Sequence, residues 1–398
     1  MKELPVLLLT GYLGSGKTTL VNRILSNRKG IKFAVIVNDI GEVNIDAALI
    51  QKGGVVDLKD DSLVALQNGC ICCTLKMDLV DQLRDISAMG KFDYIVIEAS
   101  GICEPEPIAR TICSIPFMGE DYVKDAMPRL DCIVTVVDAL RMRDEFACAK
   151  DLLRGNIDED DIENLVIQQV EFCNIILLNK ASEISPKDLG KVRAILSTLQ
   201  PKAEIIECDF GEVDLERLLD TDKFVYDSVS ASAAWISAVE GPVDDEDDDD
   251  DDEDDEEDEE GHVHHHHHHH HDEGEAEEYG IGTYVYYARR PMDINKFDEF
   301  VARRWPAGVI RAKGLCYFSE DTDLCYLFEQ AGSQVSMKNI GQWYATMPEE
   351  ELRDQLLMDP VLQRDWDPEY GDRMQKLVFI GQHLDKDAIK DALDFCLD

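Results

Sequence analysis

The segment GYLGSGKT at residues 11–18 constrains the fold more than any other stretch of this 398-residue chain. It follows the apolar run PVLLLT (5–10) and opens the helical pattern KTTLVNRILSN (17–27). The spacing G-x-x-x-x-G-K-[ST] between a buried strand and a helix is typical of a phosphate-binding loop. Its glycines let backbone N–H groups point inward, and the helix N-terminus adds the positive end of a dipole. The segment therefore predicts a P-loop domain that binds a nucleotide.

Further apolar runs follow, separated by helical patterns. They lie at residues 33–39, 94–100, 132–139, 174–180 and 203–208. Because these runs are continuous and do not alternate with polar residues, they indicate parallel strands buried on both faces. The alternation of strands and helices predicts an α/β fold: a P-loop NTPase with a doubly wound, mainly parallel sheet.

A change in composition divides the chain. Residues 236–279 contain no Lys or Arg, and every residue from Asp244 to Glu260 is acidic. Such a segment cannot bury a core, so we expect a disordered acidic and His-rich linker there. It would separate a nucleotide-binding domain over residues 1–235 from a smaller C-terminal domain over residues 280–398. Mixed strand and helix patterns predict an α+β fold for the second domain.

Charge and hydropathy limit the partners and the compartment. The formal net charge of −44 disfavours nucleic acid and anionic membranes as partners. No window approaches the roughly 20 apolar residues of a membrane span, and the N-terminus lacks the features of a signal peptide. We therefore expect a cytoplasmic protein whose cysteines are thiols or metal ligands. Nothing in the sequence predicts an oligomeric state.

Four side chains near the predicted nucleotide have expected roles. Lys17 should reach the β- and γ-phosphates, and Thr18 should ligate Mg²⁺. Asp39 ends a predicted strand and is either a Mg²⁺ or switch residue or a turn aspartate. Glu98 also ends a strand and is either a γ-phosphate sensor that positions water or a structural carboxylate.

The segment LLNKAS (177–182) contains Asn179 and Lys180 at a strand end. A guanine-reading loop usually runs N-K-x-D, because the aspartate accepts hydrogen bonds from the ring N1–H and the 2-amino group. Ser182 takes the place of that aspartate, and Glu183 follows. Either Glu183 substitutes for it or the preference for guanine over adenine is weakened.

The segment NGCICCTL (68–75) places Cys70, Cys72 and Cys73 within four positions. A disulfide between adjacent cysteines is strained. A C-x-x-C redox pair belongs to a thioredoxin-like unit, and an inert structural cluster remains an alternative. A metal site fits the cluster best, since thiolates suit Zn²⁺ and other soft ions. A carboxylate such as Glu42, water or a partner group would complete it.

A histidine run lies within the acidic segment and is either an expression tag or an encoded loop that gathers metal ions. Its internal position favours the second interpretation, and imidazole suits Zn²⁺, Ni²⁺, Co²⁺ and Cu²⁺. The run consists of His262, His264, His265, His266, His267, His268, His269, His270 and His271.

The remaining cysteines lie mostly in apolar stretches and are expected to be core residues, although Cys103 follows Glu98 closely enough to approach the metal. The expected core cysteines are Cys113, Cys132, Cys148, Cys173, Cys208, Cys316, Cys325 and Cys396.

Taken in order, GYLGSGKTTL, VNDIGEVNID, NGCICCTL, EASGICEPEPI and LLNKAS resemble the CobW-type metal-chaperone GTPases. That family is related to the nickel-enzyme maturation GTPases and the nitrile hydratase activators. The resemblance continues through RRPMDINKFDEF, WPAGVIRAKGLCYF and YGDRMQKLVFIG, so only the acidic and His-rich segment falls outside it. The G-C-x-C-C element is its most specific part, since a P-loop alone admits many functions.

The resemblance implies a GTPase that delivers a transition metal to a client metalloprotein, with GTP, Mg²⁺ and most often Zn²⁺, or Co²⁺ as a variant. It implies metal binding by Cys70, Cys72 and Cys73 near Glu42, with Thr18 and Asp39 near Mg²⁺ and Glu98 as the switch acid. The residues that the match assigns to nucleotide contact are Gly11, Gly14, Ser15, Gly16, Lys17, Thr18, Thr19, Asn179 and Lys180.

The sequence therefore predicts hand-over of a metal ion gated by GTP hydrolysis, with Lys17 and Glu98 as the catalytic residues. A metal buffer that uses the His-rich loop and an ATP-dependent phosphotransferase remain alternatives. Neither the metal nor the client is specified by the residues.

Overall fold

The computed structural model describes residues 2–26, 30–37, 76–119, 126–146, 160–230, 233, 279–332 and 334–398. Its first unit is built on a six-stranded sheet in the order β2-β3-β1-β4-β5-β6, and every neighbouring pair is parallel. The predicted doubly wound parallel sheet is thereby confirmed. The strands are β1 Glu3–Thr10, β2 Phe33–Val37, β3 Tyr94–Glu98, β4 Met127–Asp138, β5 Ile175–Asn179 and β6 Glu204–Glu207.

Helices cover both faces of this sheet. Every residue of β2, β3 and β5 is buried, as expected for strands between two helical layers. The buried side chains form a separate apolar cluster on each face. The helices are α1 Lys17–Leu25, α2 Lys76–Met89, α3 Pro105–Ser114, α4 Ala139–Phe146, α5 Asp160–Glu171, α6 Pro186–Leu199 and α7 Tyr226–Ser230.

The second unit contains a five-stranded antiparallel sheet in the order β10-β9-β8-β11-β7, which agrees with the predicted α+β class. Its strands are β7 Ile281–Ala288, β8 Val309–Phe318, β9 Asp321–Ala331, β10 Gln334–Gln342 and β11 Gln375–Gln382. Its helices are α8 Ile294–Arg303, α9 Glu349–Met358, α10 Pro360–Arg364 and α11 Lys386–Asp394.

The sequence analysis does not predict strand β10 or helices α9 and α10. β10 pairs only with β9 at the sheet edge, and nearly all of its side chains are exposed. Its large apolar side chains, Val335, Met337 and Ile340, are all exposed and form no sustained apolar pattern, so periodicity does not reveal the strand.

The second sheet packs on the first unit with one face and on its own helices with the other. Ile310, Val378 and Ile380 belong to the same buried cluster as residues of α5 and α6. On the opposite face, Phe297 of α8 and Leu393 of α11 lie in a second cluster. Apolar residues of the second unit therefore pack on the nucleotide-binding unit.

The described residues include helices of both units. No helix among them is both long enough and apolar enough to span a bilayer. The linker predicted over residues 236–279 lies outside them except for Tyr279, so the domain boundaries stay a prediction.

Candidate functional site

The segment 11–18 joins the end of β1 to α1, with β1 lying between β3 and β4. Such a central position at the carboxyl edge is where open α/β sheets bind ligands. Gly11, Gly14 and Gly16 have φ values of 131°, 77° and 111°, in the region that favours glycine. A Cβ on Gly11 would lie 2.2 Å from the carbonyl oxygen of Val136. The loop can therefore take this path only with glycine there.

The loop places polar groups where phosphates would bind. Lys17 Nζ donates to the carbonyl oxygens of Gly11, at 2.7 Å, and Tyr12, at 3.2 Å, so the ammonium lies over the loop. Ser15 is buried, and its Oγ makes no hydrogen bond within the described part of the chain. Thr19 is exposed on the first turn of α1. A buried hydroxyl, a loop-bound ammonium and a glycine-lined path fit a polyphosphate.

Thr18 and Glu98 meet across the sheet edge. Strands β1 and β3 pair with Leu9 opposite Glu98, which brings the end of β3 beside the loop. Thr18 Oγ1 donates to Glu98 Oε1 at 2.8 Å, and Glu98 is 2% exposed. The Thr18 hydroxyl is a hard oxygen donor of the kind that Mg²⁺ prefers, so it fits a ligand of a magnesium ion beside the phosphates, and the Glu98 carboxylate lies next to it.

The segment after Glu98 is held between the loop and α5. A Cβ on Gly101 would lie 2.7 Å from the backbone nitrogen of Leu13. Gln169 of α5, a buried side chain, donates through Nε2 to the carbonyl oxygens of Gly101, at 3.3 Å, and Cys103, at 3.0 Å. Movement of this segment would therefore be transmitted to α5. The sequence analysis does not single out Gln169, because a glutamine within a helix gives no local signal.

Asn179 links the base-reading segment to the phosphate loop. Its Nδ2 donates to the Ser15 carbonyl oxygen at 2.8 Å, and its Oδ1 accepts from the Gly211 N–H at 3.1 Å. A Cβ on Gly16 would lie 2.3 Å from the same Nδ2. One buried amide thus connects the phosphate loop to the loop that follows β6.

Lys180 and Ser182 each contact a carboxylate from another strand end. Lys180 has a φ of 60°, and its Nζ forms an ion pair with Asp138 at the end of β4. The Ser182 hydroxyl donates to Asp209 Oδ1 at 2.9 Å. Asp138 and Asp209 are not predicted site residues, although Asp138 lies near the end of one apolar run and Asp209 directly follows another.

Apart from Thr18, the predicted metal ligands lie outside the described residues. They are Asp39, Glu42, Cys70, Cys72, Cys73, His262, His264, His265, His266, His267, His268, His269, His270 and His271. Among the residues that are described, no group of three or more His, Cys, Asp or Glu side chains is arranged to hold a metal ion.

The cysteines expected in the core are buried where they are described, except that Cys113 is half-buried and Cys148 lies outside the described ranges. Burial raises the pKa of Cys132 and Cys173 to about 12 and that of Cys208 to about 11. These thiols remain protonated at neutral pH, so they are poor metal ligands.

Comparison with known proteins identifies similarity along both units of the chain. The CobW/HypB/UreG nucleotide-binding domain matches residues 5–207, and the C-terminal domain of the cobalamin synthesis protein cobW matches residues 281–397. The chain is 32% identical over 411 residues to the zinc-regulated GTPase metalloprotein activator 1 of Dictyostelium discoideum. That alignment covers 100% of this chain and 80% of the relative.

Two further relatives are bacterial. The zinc chaperone CobW of Pseudomonas aeruginosa is 32% identical over 232 residues, which are 55% of this chain and 60% of the relative. The crystal structure of Zn(II)-bound YjiA GTPase from E. coli is 20% identical with a TM-score of 0.41, and the match covers 100% of both chains. The loop geometry, the parallel sheet and both domain matches lead to one assignment: the chain belongs to the CobW/HypB/UreG family of P-loop GTPases.

Proposed function

We propose that this GTPase is a metallochaperone that binds a transition metal, most simply zinc, at the G-C-x-C-C motif and hands it to a client metalloprotein. Relatives named as a zinc-regulated GTPase metalloprotein activator and a zinc chaperone support the proposal. The observation that carries it is the hydrogen bond between Thr18 and Glu98, because it joins the phosphate loop to the segment that would sense the γ-phosphate.

The nucleotide roles follow from this geometry. Gly11, Gly14, Ser15 and Gly16 would surround the phosphates, while Lys17 would move from the loop carbonyls to the β- and γ-oxygens. Thr19 would add a contact at the first helical turn, and Asn179 and Lys180 would flank the base. Thr18, with Asp39, would hold Mg²⁺, and Glu98 would position the attacking water. Bound Mg²⁺ supplies the positive charge that offsets charge developing on the phosphate oxygens.

Chain connectivity supports a position of the thiol motif near this site. Cys73 is three residues before Lys76, where α2 begins. Since α2 ends just before β3 begins, the start of α2 lies toward the carboxyl edge of the sheet. A chain extends about 3.5 Å per residue, so Cys73 remains within about 11 Å of that start. Cys70, Cys72, Cys73 and Glu42 would bind the metal beside the switch.

Coupling between the two sites would produce directed transfer. A ligand shifts an equilibrium only by its differential affinity for the two states. If GTP favours the conformation that holds the metal, the metal must favour GTP by the same factor. Hydrolysis would then remove the γ-phosphate contact near Glu98 and weaken the metal site. The histidine run, His262 and His264 to His271, would raise the local concentration of metal ions without forming the transfer site.

The test is a competition titration of Zn²⁺ and Co²⁺ with and without a non-hydrolysable GTP analogue. We expect the analogue to tighten one site severalfold, and Cys72→Ser with Cys73→Ser to abolish that site. Cys113→Ser, at a half-buried thiol outside the motif, is the matched control and should leave the site unchanged.

A version lacking residues 244–272 separates the His-rich loop from the thiol site. Under the proposal the tightest site survives this deletion. Loss of that site, or equal metal affinity with and without the analogue, would show that the protein is a metal buffer with no nucleotide coupling.

A further inference from the structure

The base-reading segment lacks the carboxylate that recognises guanine, but another loop brings one to the same place. Ser182 occupies the position of that carboxylate. Its backbone N–H and its hydroxyl both donate to Asp209 Oδ1, at 3.1 and 2.9 Å. A serine Oγ stands where an aspartate Cγ would stand in the same rotamer. Asp209 Oδ1 therefore lies one hydrogen-bond length from the position that the carbon of the missing carboxylate would occupy.

We propose that Asp209, from the loop after β6, reads the N1–H and 2-amino groups of guanine in place of the aspartate absent at position 182. This inference rests on the GTP-dependent function proposed above. It assigns the specificity for the base to a residue outside the N-K-x-x segment.

Backbone contacts fix the two loops against each other. The Ala181 N–H donates to the Cys208 carbonyl oxygen at 3.2 Å, and the Gly211 N–H donates to Asn179 Oδ1 at 3.1 Å. Asp209 lies between these two contacts in the chain, so its backbone is held beside the base-reading segment. Asn179 also contacts the phosphate loop, so the loop that carries Asp209 is connected to the loop where the phosphates would bind.

The carboxylate retains hydrogen-bonding capacity. Asp209 is half-buried, and within the described part of the chain its two side-chain hydrogen bonds both end on Oδ1. A carboxylate has about four acceptor positions. Ser182 takes up both acceptor positions of Oδ1, so the two positions of Oδ2 are left for the adjacent N1–H and 2-amino donors of guanine. Adenine presents a ring nitrogen acceptor at the matching position and would be repelled.

Glu183 is the competing candidate from the sequence. It is exposed at the end of a 3-10 turn, Ala181–Glu183. Its backbone N–H donates to the Lys180 carbonyl oxygen, but no hydrogen bond among the described residues fixes its carboxylate. A mobile carboxylate costs more entropy to order on binding than one already held by Ser182, so Asp209 is favoured.

The test compares binding of GTP, XTP and ATP by the full chain and its variants. Xanthine carries a carbonyl oxygen where guanine carries the 2-amino group, so an amide NH₂ can pair with it. We expect Asp209→Asn to lower GTP affinity roughly 10- to 100-fold, as loss of hydrogen bonds to a charged group does, and to make XTP the preferred nucleotide. Glu212→Gln alters an exposed carboxylate on the same loop and should keep the preference for GTP.

A double variant covers the case in which Asp209→Asn fails to fold. Ser182→Asp combined with Asp209→Ser returns the carboxylate to the usual position and should bind GTP more tightly than Asp209→Ser alone. A folded Asp209→Asn protein that still prefers GTP over XTP, or a double variant no better than Asp209→Ser, would overturn the inference. An unaltered protein that binds ATP as tightly as GTP would contradict the proposed function instead.

Discussion

The negative charge of Glu98 should matter more for GTP hydrolysis than the shape of its side chain. Its Oε1 accepts from Thr18, and a glutamine oxygen can accept the same hydrogen bond. We expect Glu98→Gln to keep the fold and nucleotide affinity but to slow Mg²⁺-dependent GTP hydrolysis roughly 100-fold, the usual contribution of a positioned acid or base. Single-turnover hydrolysis and nucleotide titration measure the two effects separately.

Glu104→Gln is the matched control for this change, because Glu104 is an exposed carboxylate on the same segment that makes no capping hydrogen bond. It should hydrolyse GTP at the unaltered rate. Equal rates for the two variants would show that Glu98 does not position water.

Asn179 stabilises the site through both ends of its amide. Asn179→Ala would leave the Ser15 carbonyl and the Gly211 N–H without this partner. Each orphaned buried group costs about 1–3 kcal/mol, so we expect a clear drop in the free energy of unfolding measured with urea. Asn179→Asp keeps an oxygen that accepts from the Gly211 N–H, so its free energy of unfolding should fall less. An equal fall in both variants would show that the hydrogen bond to Gly211 does not stabilise the fold.

At the scale of elements, two glycines in the connection from β1 to α1 should differ in how well they tolerate replacement. Gly14 and Gly16 both have positive φ, so alanine strains the backbone at either position. At Gly16 the new Cβ would also lie 2.3 Å from Asn179 Nδ2, whereas at Gly14 nothing lies within 4 Å. A Cβ at this distance would clash with Asn179 and displace its side chain. We therefore expect Gly16→Ala to lower GTP affinity roughly tenfold more than Gly14→Ala does.

Nucleotide titration of the two alanine variants measures this difference directly. Gly14→Ala serves as the control for backbone strain alone. The two variants would behave alike if contact between the P-loop and Asn179 had no part in binding.

Strands β8, β9 and β10 carry a charge cluster that makes stability depend on pH. Burial alone would raise the pKa of Glu329, but Lys313 at 2.5 Å, with Arg311 and Lys338, lowers it below its ordinary value. A carboxylate with a lowered pKa stabilises the fold above its unfolded-state pKa of about 4.3. That contribution is lost as pH falls through the lower folded-state pKa.

We therefore expect the urea midpoint of the C-terminal unit to fall between pH 5 and pH 3 and to fall less steeply in Glu329→Gln. Tryptophan fluorescence reports on this unit through Trp343, which is buried there. Parallel curves for the two proteins would show that other carboxylates govern acid unfolding.

At the scale of the whole molecule, a buried ion pair joins the two units. Arg311 of β8, fully buried, donates through Nε and Nη2 to the Glu171 carboxylate at the end of α5, at 2.9 and 3.1 Å. The same helix contacts the segment after Glu98 through Gln169. The C-terminal sheet is thus connected to the candidate switch by side chains of a single helix.

Replacing one partner of this pair should be more damaging than replacing both. Arg311→Met leaves a buried carboxylate unpaired, which costs about 3–5 kcal/mol. The double variant Arg311→Met with Glu171→Leu removes both charges and should recover much of that loss in urea unfolding. Additive losses in the double-mutant cycle would show that the two side chains do not interact in solution.

Prediction from the sequence succeeds where the signal is local. The spacing of Gly11, Gly16 and Lys17 between an apolar run and a helical pattern indicates a phosphate loop, and continuous apolar runs indicate buried parallel strands. β10 escapes prediction because its few large apolar side chains are exposed and form no sustained pattern.

The sequence by itself determined the type of fold and the chemical character of the nucleotide site, because those depend on residues close together in the chain. Only the tertiary structure decided which distant groups meet: Thr18 with Glu98, 80 residues apart, Ser182 with Asp209, 27 apart, and Arg311 with Glu171, 140 apart. These contacts follow from the order of strands in the sheets and from the packing of one unit on the other. No local pattern encodes that order, since each strand is equally apolar whichever neighbour it pairs with.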